Sequence, residues 1–333
     1  MAGQDERTGH AVVGRGETRR IGTSGLTGLL GLTVLALVLT GCGREVGSAP
    51  VDIAGRQIRV VATTGMVGDV ARNVGGERVS VTTLMGPGVD PHLYKASARD
   101  VEALDEADIL FYNGLHLEGR MTSIFERLSV TRPTVGVAEG IPHERLQRPP
   151  EFEGAWDPHV WFDVELWSST VDAVRDALAE LDPTHAATYQ VNADAYRAEL
   201  AALDVWVTEQ IATIPPEARL LITAHDAFGY MGAAYGLEVR GLQGTSTATE
   251  AGAADVRGLA DLIVERQIKA IFVESSVPEA TIEAVQAAVR SRGHEVAVGG
   301  ELFSDAMGSE GTPEGTYVGM VRHNIETIVS ALR

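Results

Sequence analysis

Residues 183–214 read PTHAATYQVNADAYRAELAALDVWVTEQIATI, about thirty residues without a glycine, entered through Asp182-Pro183 and stopped by Pro215-Pro216. Proline is tolerated in the first helical turn and ends a helix elsewhere, so the stretch is punctuated as one element. At 1.5 Å per residue it rises about 45 Å, well beyond the mean helix of about 11–12 residues. A helix of this length between two other blocks reads as a rigid connector. The competing reading is one large core helix.

Both flanking blocks alternate strand and helix. Upstream, strands are expected at Ile58–Thr63, Val79–Leu84, Ile109–Asn113 and Thr134–Val137. Helices are expected at Met66–Val74, Ala98–Ala107 and Met121–Leu128, and helical apolar spacing runs from Val164 to Leu181. Downstream, strands are expected at Leu220–Thr223, Glu238–Leu242, Ala270–Val273 and His294–Val298. The helices between and after them are Ala227–Tyr235, Ala253–Arg266, Glu279–Arg290 and Tyr317–Leu332. Such alternation argues for parallel α/β units. The expected fold is α/β, with two parallel-sheet domains at 57–182 and 215–333 joined by a single long helix at 183–214.

The chain has 333 residues, enough for two domains at about 150 residues each. Apolar residues make up 44% and charged residues 22%, an ordinary globular balance that excludes disordered, collagen-like and multi-span membrane classes. The net charge of −19 argues against a nucleic-acid partner, because phosphate neutralisation needs a basic face. A single Cys leaves no disulfide framework and no thiolate metal cluster within one chain.

That Cys has its own context. Arg15, Arg19 and Arg20 precede an apolar run from Leu26 to Thr40, which ends Leu39-Thr40-Gly41-Cys42. The run is shorter than the ~20 residues a spanning helix needs and has the layout of a secretory signal. Its end resembles a bacterial lipobox, which makes residues 1–41 a removed leader and Cys42 the lipidated first residue. Residues 42–56 then form a short tether. An acylated Cys42 would anchor the protein to the membrane, at the outer face of the cell envelope.

Several chemistries are missing. Neither Lys95 nor Lys269 follows a glycine, so there is no P-loop. Gly244-Thr245-Ser246-Thr247-Ala248 lacks the last glycine of a nucleophile elbow, and no His-Glu-x-x-His helix occurs. What remains is histidine. His92 stands in Asp90-Pro91-His92 after a strand, His159 in Asp157-Pro158-His159-Val160-Trp161, and His225 directly after strand Leu220–Thr223. Asp305 follows the strand placed at His294–Val298. Ligands of open parallel sheets collect at the carboxyl ends of strands, so these four side chains can meet if the blocks face each other. Three imidazoles and a carboxylate suit zinc, and also admit manganese or iron(II). Asp-Pro turns alone would also account for the two Asp-Pro-His tripeptides.

Five segments together resemble one family: Gly88-Val89-Asp90-Pro91-His92-Leu93-Tyr94, Asp157 to Trp161, Thr223 to Tyr230, Gly241 to Thr247, and Gly300 to Met307. They are similar to the TroA-like zinc- and manganese-binding lipoproteins of bacterial ABC importers, over essentially the whole chain from about Ile58. The resemblance implies two α/β domains joined by one long helix and a metal site in the cleft between them. It places the ligands on His92, His159, His225 and Asp305. It assigns no ligand role to His116, which is then a loop residue near the cleft. Glu274 and Asp226 are candidates to orient a ligating imidazole. The His-rich acidic loop of many zinc-selective members is absent, since Glu118–Asp157 holds only His143. Both zinc and manganese fit.

The expected function is capture of a divalent metal and delivery to an ABC permease with its ATPase, by a monomer that performs no chemistry on its cargo. Ligand imidazoles must be neutral, so ordinary histidines would lose metal below about pH 6–6.5. The alternatives are a metal-containing surface adhesin, an organic-solute binder, and a metallohydrolase on the same cluster. A fourth protein ligand argues against the last, because catalytic zinc keeps a position open for water.

Overall fold

The computed structural model describes residues 53–149, 152 and 154–333. The leader, Cys42 and most of the tether lie outside this range. In the first half, strands β1 (Ile58–Ala62), β2 (Val79–Thr83), β3 (Ile109–Tyr112) and β4 (Thr134–Gly136) form one parallel sheet in the order β2-β1-β3-β4. Ile58 pairs with Val79 and Val60 with Ile109. Every β1 residue except Arg59 is buried, as expected of a parallel strand covered on both faces. Helices α1 (Gly65–Gly75), α2 (Ala98–Glu106) and α3 (Thr122–Ser129) make the crossovers. Thr64 caps α1, its hydroxyl accepting from the Val67 amide, and Ser97 and Asp100 form a capping box on α2.

The helical spacing from Val164 to Leu181 is realised as two helices, α4 (Val164–Ser168) and α5 (Thr170–Leu181). The break falls at two hydroxyl residues. Ser169 Oγ donates to Leu166 O at 2.6 Å and Thr170 Oγ1 to Trp167 O at 2.7 Å, and such side-chain bonds compete with the helical ladder.

After a turn at Pro183–His185, α6 runs Ala186–Ala212. Tyr189, Ala193, Tyr196, Leu200, Leu203, Val207 and Ile211 are its buried stripe, at steps of three and four that place them on one face. That face packs against α1, α4 and α5 of the first half. It also packs against α7 (Gly229–Tyr235) and α10 (Tyr317–Leu332) of the second. The connector is therefore also a core helix, and one apolar core runs through it from Met66 in α1 to Val329 in α10.

The second half pairs β5 (Leu220–His225) with β6 (Glu238–Gln243), and β7 (Ala270–Glu274) with β8 (Ala297–Leu302), all parallel. β5 and β7 lie side by side. α8 (Ala253–Arg266) and α9 (Ala280–Arg290) cover a second apolar cluster around Ile222, Ile263 and Ile271. β8 begins three residues later than the sequence suggests. Its Gly299-Gly300 disfavours a strand assignment, yet Gly300 sits at φ +146°, where a Cβ would strike Thr327, and β8 is bulged at Gly299, opposite the step from Ile271 to Phe272 in β7. Among the described residues no helix is long and apolar enough to cross a membrane.

Candidate metal centre

The four candidate residues reach one point from three loops and the end of a strand. Beyond β2 the chain keeps two more bonds to the sheet side, Leu84 N to Ala62 O and Met85 N to Thr63 O, each 2.9 Å. It then turns through Gly88 (φ +70°), where a Cβ would stand 3.2 Å from Ser275 O. Only glycine combines that dihedral with so close an approach. Asp90 Oδ1 accepts the main-chain N–H of His92 at 2.8 Å, and Asp157 Oδ1 accepts that of His159 at 3.0 Å. Both Asp-Pro-His tripeptides are thus the same side-chain-closed turn.

The other two candidates come from the second half. His225 is the last residue of β5, and Glu274, the last of β7, takes its main-chain N–H on Oε1 at 2.8 Å. Asp305 follows β8 in a loop fixed from both sides. Asn324 of α10 exchanges two hydrogen bonds with the Phe303 backbone. Trp161 Nε1 donates to Ser304 O at 3.0 Å, and Tyr317 Oη donates to Trp161 O at 2.7 Å.

The imidazole Nε2 atoms and the Asp305 carboxylate converge. His92 Nε2 lies 3.3 Å from His159 Nε2. Asp305 Oδ1 is 3.3 Å from His159 Nε2, and Oδ2 is 3.3 Å from His225 Nε2 and 3.7 Å from His92 Nε2. Donors about 2.0–2.1 Å from a tetrahedral zinc stand roughly 3.3–3.4 Å apart, so the observed spacing fits a common ion. The three rings are mutually inclined at 54°, 66° and 83°, radiating around a centre instead of stacking. His159, His225 and Asp305 are essentially inaccessible and His92 is 6% exposed. Among the described residues, His225 Nε2 and both Asp305 oxygens are buried without a hydrogen-bond partner. Buried polar atoms left so are costly, and a divalent cation would satisfy all three. With both carboxylate oxygens available, the group can offer four or five donor atoms.

Carboxylates behind the rings fix the tautomers. His159 Nδ1 is 2.7 Å from Asp157 Oδ1, and His225 Nδ1 is 2.5 Å from Glu274 Oε2. A ring that donates from Nδ1 presents an Nε2 lone pair to a metal and gains basicity. Burial would push His159 down, but Asp157 and Asp305 outweigh it and lift it to about 9. Burial is likewise outweighed at His225, which Glu274 and Asp305 hold well above the ordinary imidazole value. Burial pushes Asp305 up, yet His225 and His159 draw it well below the usual carboxylate range. His92 is brought down to about 3 by burial and the neighbouring imidazoles, against the pull of Asp305. Among the described residues no carboxylate stands behind its Nδ1.

Other histidines have local employment. His294 Nε2 meets Ile268 O at 2.9 Å, His323 Nε2 meets Glu301 O at 3.0 Å, and His185 Nδ1 meets Asp182. His116 is exposed, at φ +67°, and lines a cleft of about 830 Å³ that His92 alone of the four reaches. Asp226 stands outside the group of four. The sequence reading missed Asp157 as a partner of the His159 ring, although the Asp sits two residues before it in the quoted tripeptide. It also missed Thr247, whose Oγ1 donates to Asp90 Oδ2 at 2.6 Å. No local pattern joins residues that far apart.

Residues 60–331 match the family described as zinc-uptake complex component A, periplasmic. The chain is 48% identical over 308 residues to the manganese-binding lipoprotein MntA of Bacillus subtilis (strain 168), covering 92% of this chain and 99% of that one. It is 51% identical over 300 residues to the zinc-binding protein TroA of Treponema pallidum (strain Nichols), covering 90% and 96%. The solved structure of the Treponema pallidum protein superposes with a TM-score of 0.81, over 83% of this chain and 99% of that one. A more distant relative, 27% identical over 308 residues and covering 90% and 97%, is the metal ABC transporter substrate-binding lipoprotein ScbA of Streptococcus cristatus.

Proposed function

The chain belongs to the periplasmic zinc-uptake component A family, and on that premise we propose that His92, His159, His225 and Asp305 hold its cargo, one divalent metal ion. It is an extracytoplasmic solute-binding component of a metal ABC importer, and not an enzyme. It captures zinc or manganese and delivers the ion to the permease. One observation carries the ligand assignment: the buried Nε2 of His225 and both oxygens of Asp305 face the same point as the other two imidazoles and, among the described residues, have no other partner. The proposal extends to a lipid anchor on Cys42, a tether over residues 42–56, a monomeric state, and two metal-binding lobes at 57–182 and 215–333 about the helix at 183–214.

Elemental analysis of the purified chain, with competitive titration by zinc, manganese and iron(II), tests the ligand set. One equivalent of metal is expected, lost in Asp305→Ala and in His159→Ala. Full affinity in both variants would remove the assignment. The His225→Glu variant asks which ion the third position favours, with a shift toward manganese expected from the harder oxygen donor. Cys42→Ser should move the protein from the membrane fraction into the soluble one.

A further inference from the structure

Of the four residues around the centre, only His92 reaches the solvent-filled cleft, and it alone lacks a carboxylate behind its ring among the described residues. Its place depends on the turn that carries it. Asp90 closes that turn through Oδ1 and reaches across to the second half through Oδ2, where the Thr247 hydroxyl donates at 2.6 Å. Thr247 is buried, with 7% exposure, although residues 244–252 contain neither helix nor strand. Asp90 and Thr247 also line a separate cavity of about 310 Å³, bounded by Gln243, Ser276 and Val277. The pair lines that cavity, while His92, two residues from Asp90, lines the larger cleft.

We infer that the Asp90–Thr247 hydrogen bond is a latch that sets how fast the metal leaves, by holding the His92 turn against the second half. The inference rests on the ligand assignment above. His92 is the ligand free to swing first: it faces the cleft, and its ring is not gripped from behind. His159 and His225 are each held by a carboxylate at the ring, and the Asp305 loop is fixed by Trp161 and Asn324. Breaking the latch leaves the turn closed by Asp90 Oδ1 but without its hydrogen bond to the second half. Thr247 touches no metal in this scheme; it is a positioning residue acting through Asp90.

The test is stopped-flow release of zinc from the loaded full chain into excess chromophoric chelator, with the association rate measured in parallel. Thr247→Val removes the hydroxyl at nearly constant volume and should speed release about tenfold, the effect of one charge-assisted hydrogen bond, with association and stoichiometry unchanged. Thr247→Ser restores the donor and should release at the wild-type rate. Normal loading with unchanged release in Thr247→Val overturns the latch alone. Equal acceleration in the Val and Ser variants also overturns it, since loop packing would then be the cause. A wild-type chain that binds no stoichiometric zinc overturns the ligand assignment, and the latch with it.

Discussion

Glu274 grips His225 with both oxygens, Oε1 on the main-chain N–H at 2.8 Å and Oε2 on the ring Nδ1 at 2.5 Å. One carboxylate thus fixes where the residue sits and which ring nitrogen carries the proton. In Glu274→Gln one of these acceptors becomes a donor, and the neutral ring loses its preferred tautomer. Metal affinity is expected to fall roughly 10–100-fold with one equivalent still bound, as measured by competition with a chelator of known affinity. Unchanged affinity would show that β5 alone positions the ring.

Metal binding should expel protons. Asp157 and Asp305 lift His159 to about 9, and Glu274 and Asp305 hold His225 well above the ordinary value, so both rings carry a proton at pH 7 that a metal must displace. Calorimetry in buffers of different ionisation enthalpy should report about two protons released per ion near pH 7. The number should fall as the pH passes about 9. Affinity should therefore rise with pH across the neutral range, a window well above the pH 6–6.5 expected of unperturbed histidines.

In the metal-free chain His159 and His92 both draw stability toward pH 6.5. His159 has a folded value raised above its unfolded one, so its contribution is fully present below about 6.5 and is lost as pH rises through about 9. His92, depressed to about 3, acts in the opposite sense. Its buried neutral ring costs progressively more stability as the pH falls below 6.5 toward 3. Thermal unfolding of chelator-treated protein should show a midpoint that declines on both sides. Bound metal should remove the alkaline decline. A flat apo profile from pH 6 to 9 would contradict the charge assignment of His159.

Tyr196 of α6 donates to the buried Asp69 of α1 at 2.7 Å. Tyr196→Phe strips that carboxylate of a donor and should cost about 1–3 kcal/mol, read by urea unfolding. Metal stoichiometry should not change. A variant as stable as the wild type would mean that Asn73, which also meets Asp69 Oδ2 at 3.1 Å, satisfies it alone.

Element order was largely legible in the sequence because the central strands β1, β3, β5 and β7 are buried on both faces and read as short apolar runs, as in Ile109–Tyr112 and Ala270–Glu274. It was less legible where local chemistry works against pattern. Gly299 and Gly300 hid the body of β8, and Ser169-Thr170 split a helix whose apolar spacing runs on unbroken. The four metal-capable residues were legible as motifs. Their convergence was legible only on the condition that the two blocks face each other and through the family resemblance; the contacts that fix it, β5 lying beside β7 and Trp161 holding the Ser304 backbone, were not. The grip of Glu274 on His225 spans 49 residues, and only the strand neighbourhood brings the two together.

The apolar core that passes through α6 has a consequence for modularity. A cut at Pro215-Pro216 would not liberate two finished pieces, because each would bare the surface its counterpart covers. Limited proteolysis of the folded chain should find no severable joint there. A chimera that borrows one half from a relative must also import the matching face of α6, Tyr189 through Ile211. The halves are then inherited together, as one indivisible body with a cleft cut into it.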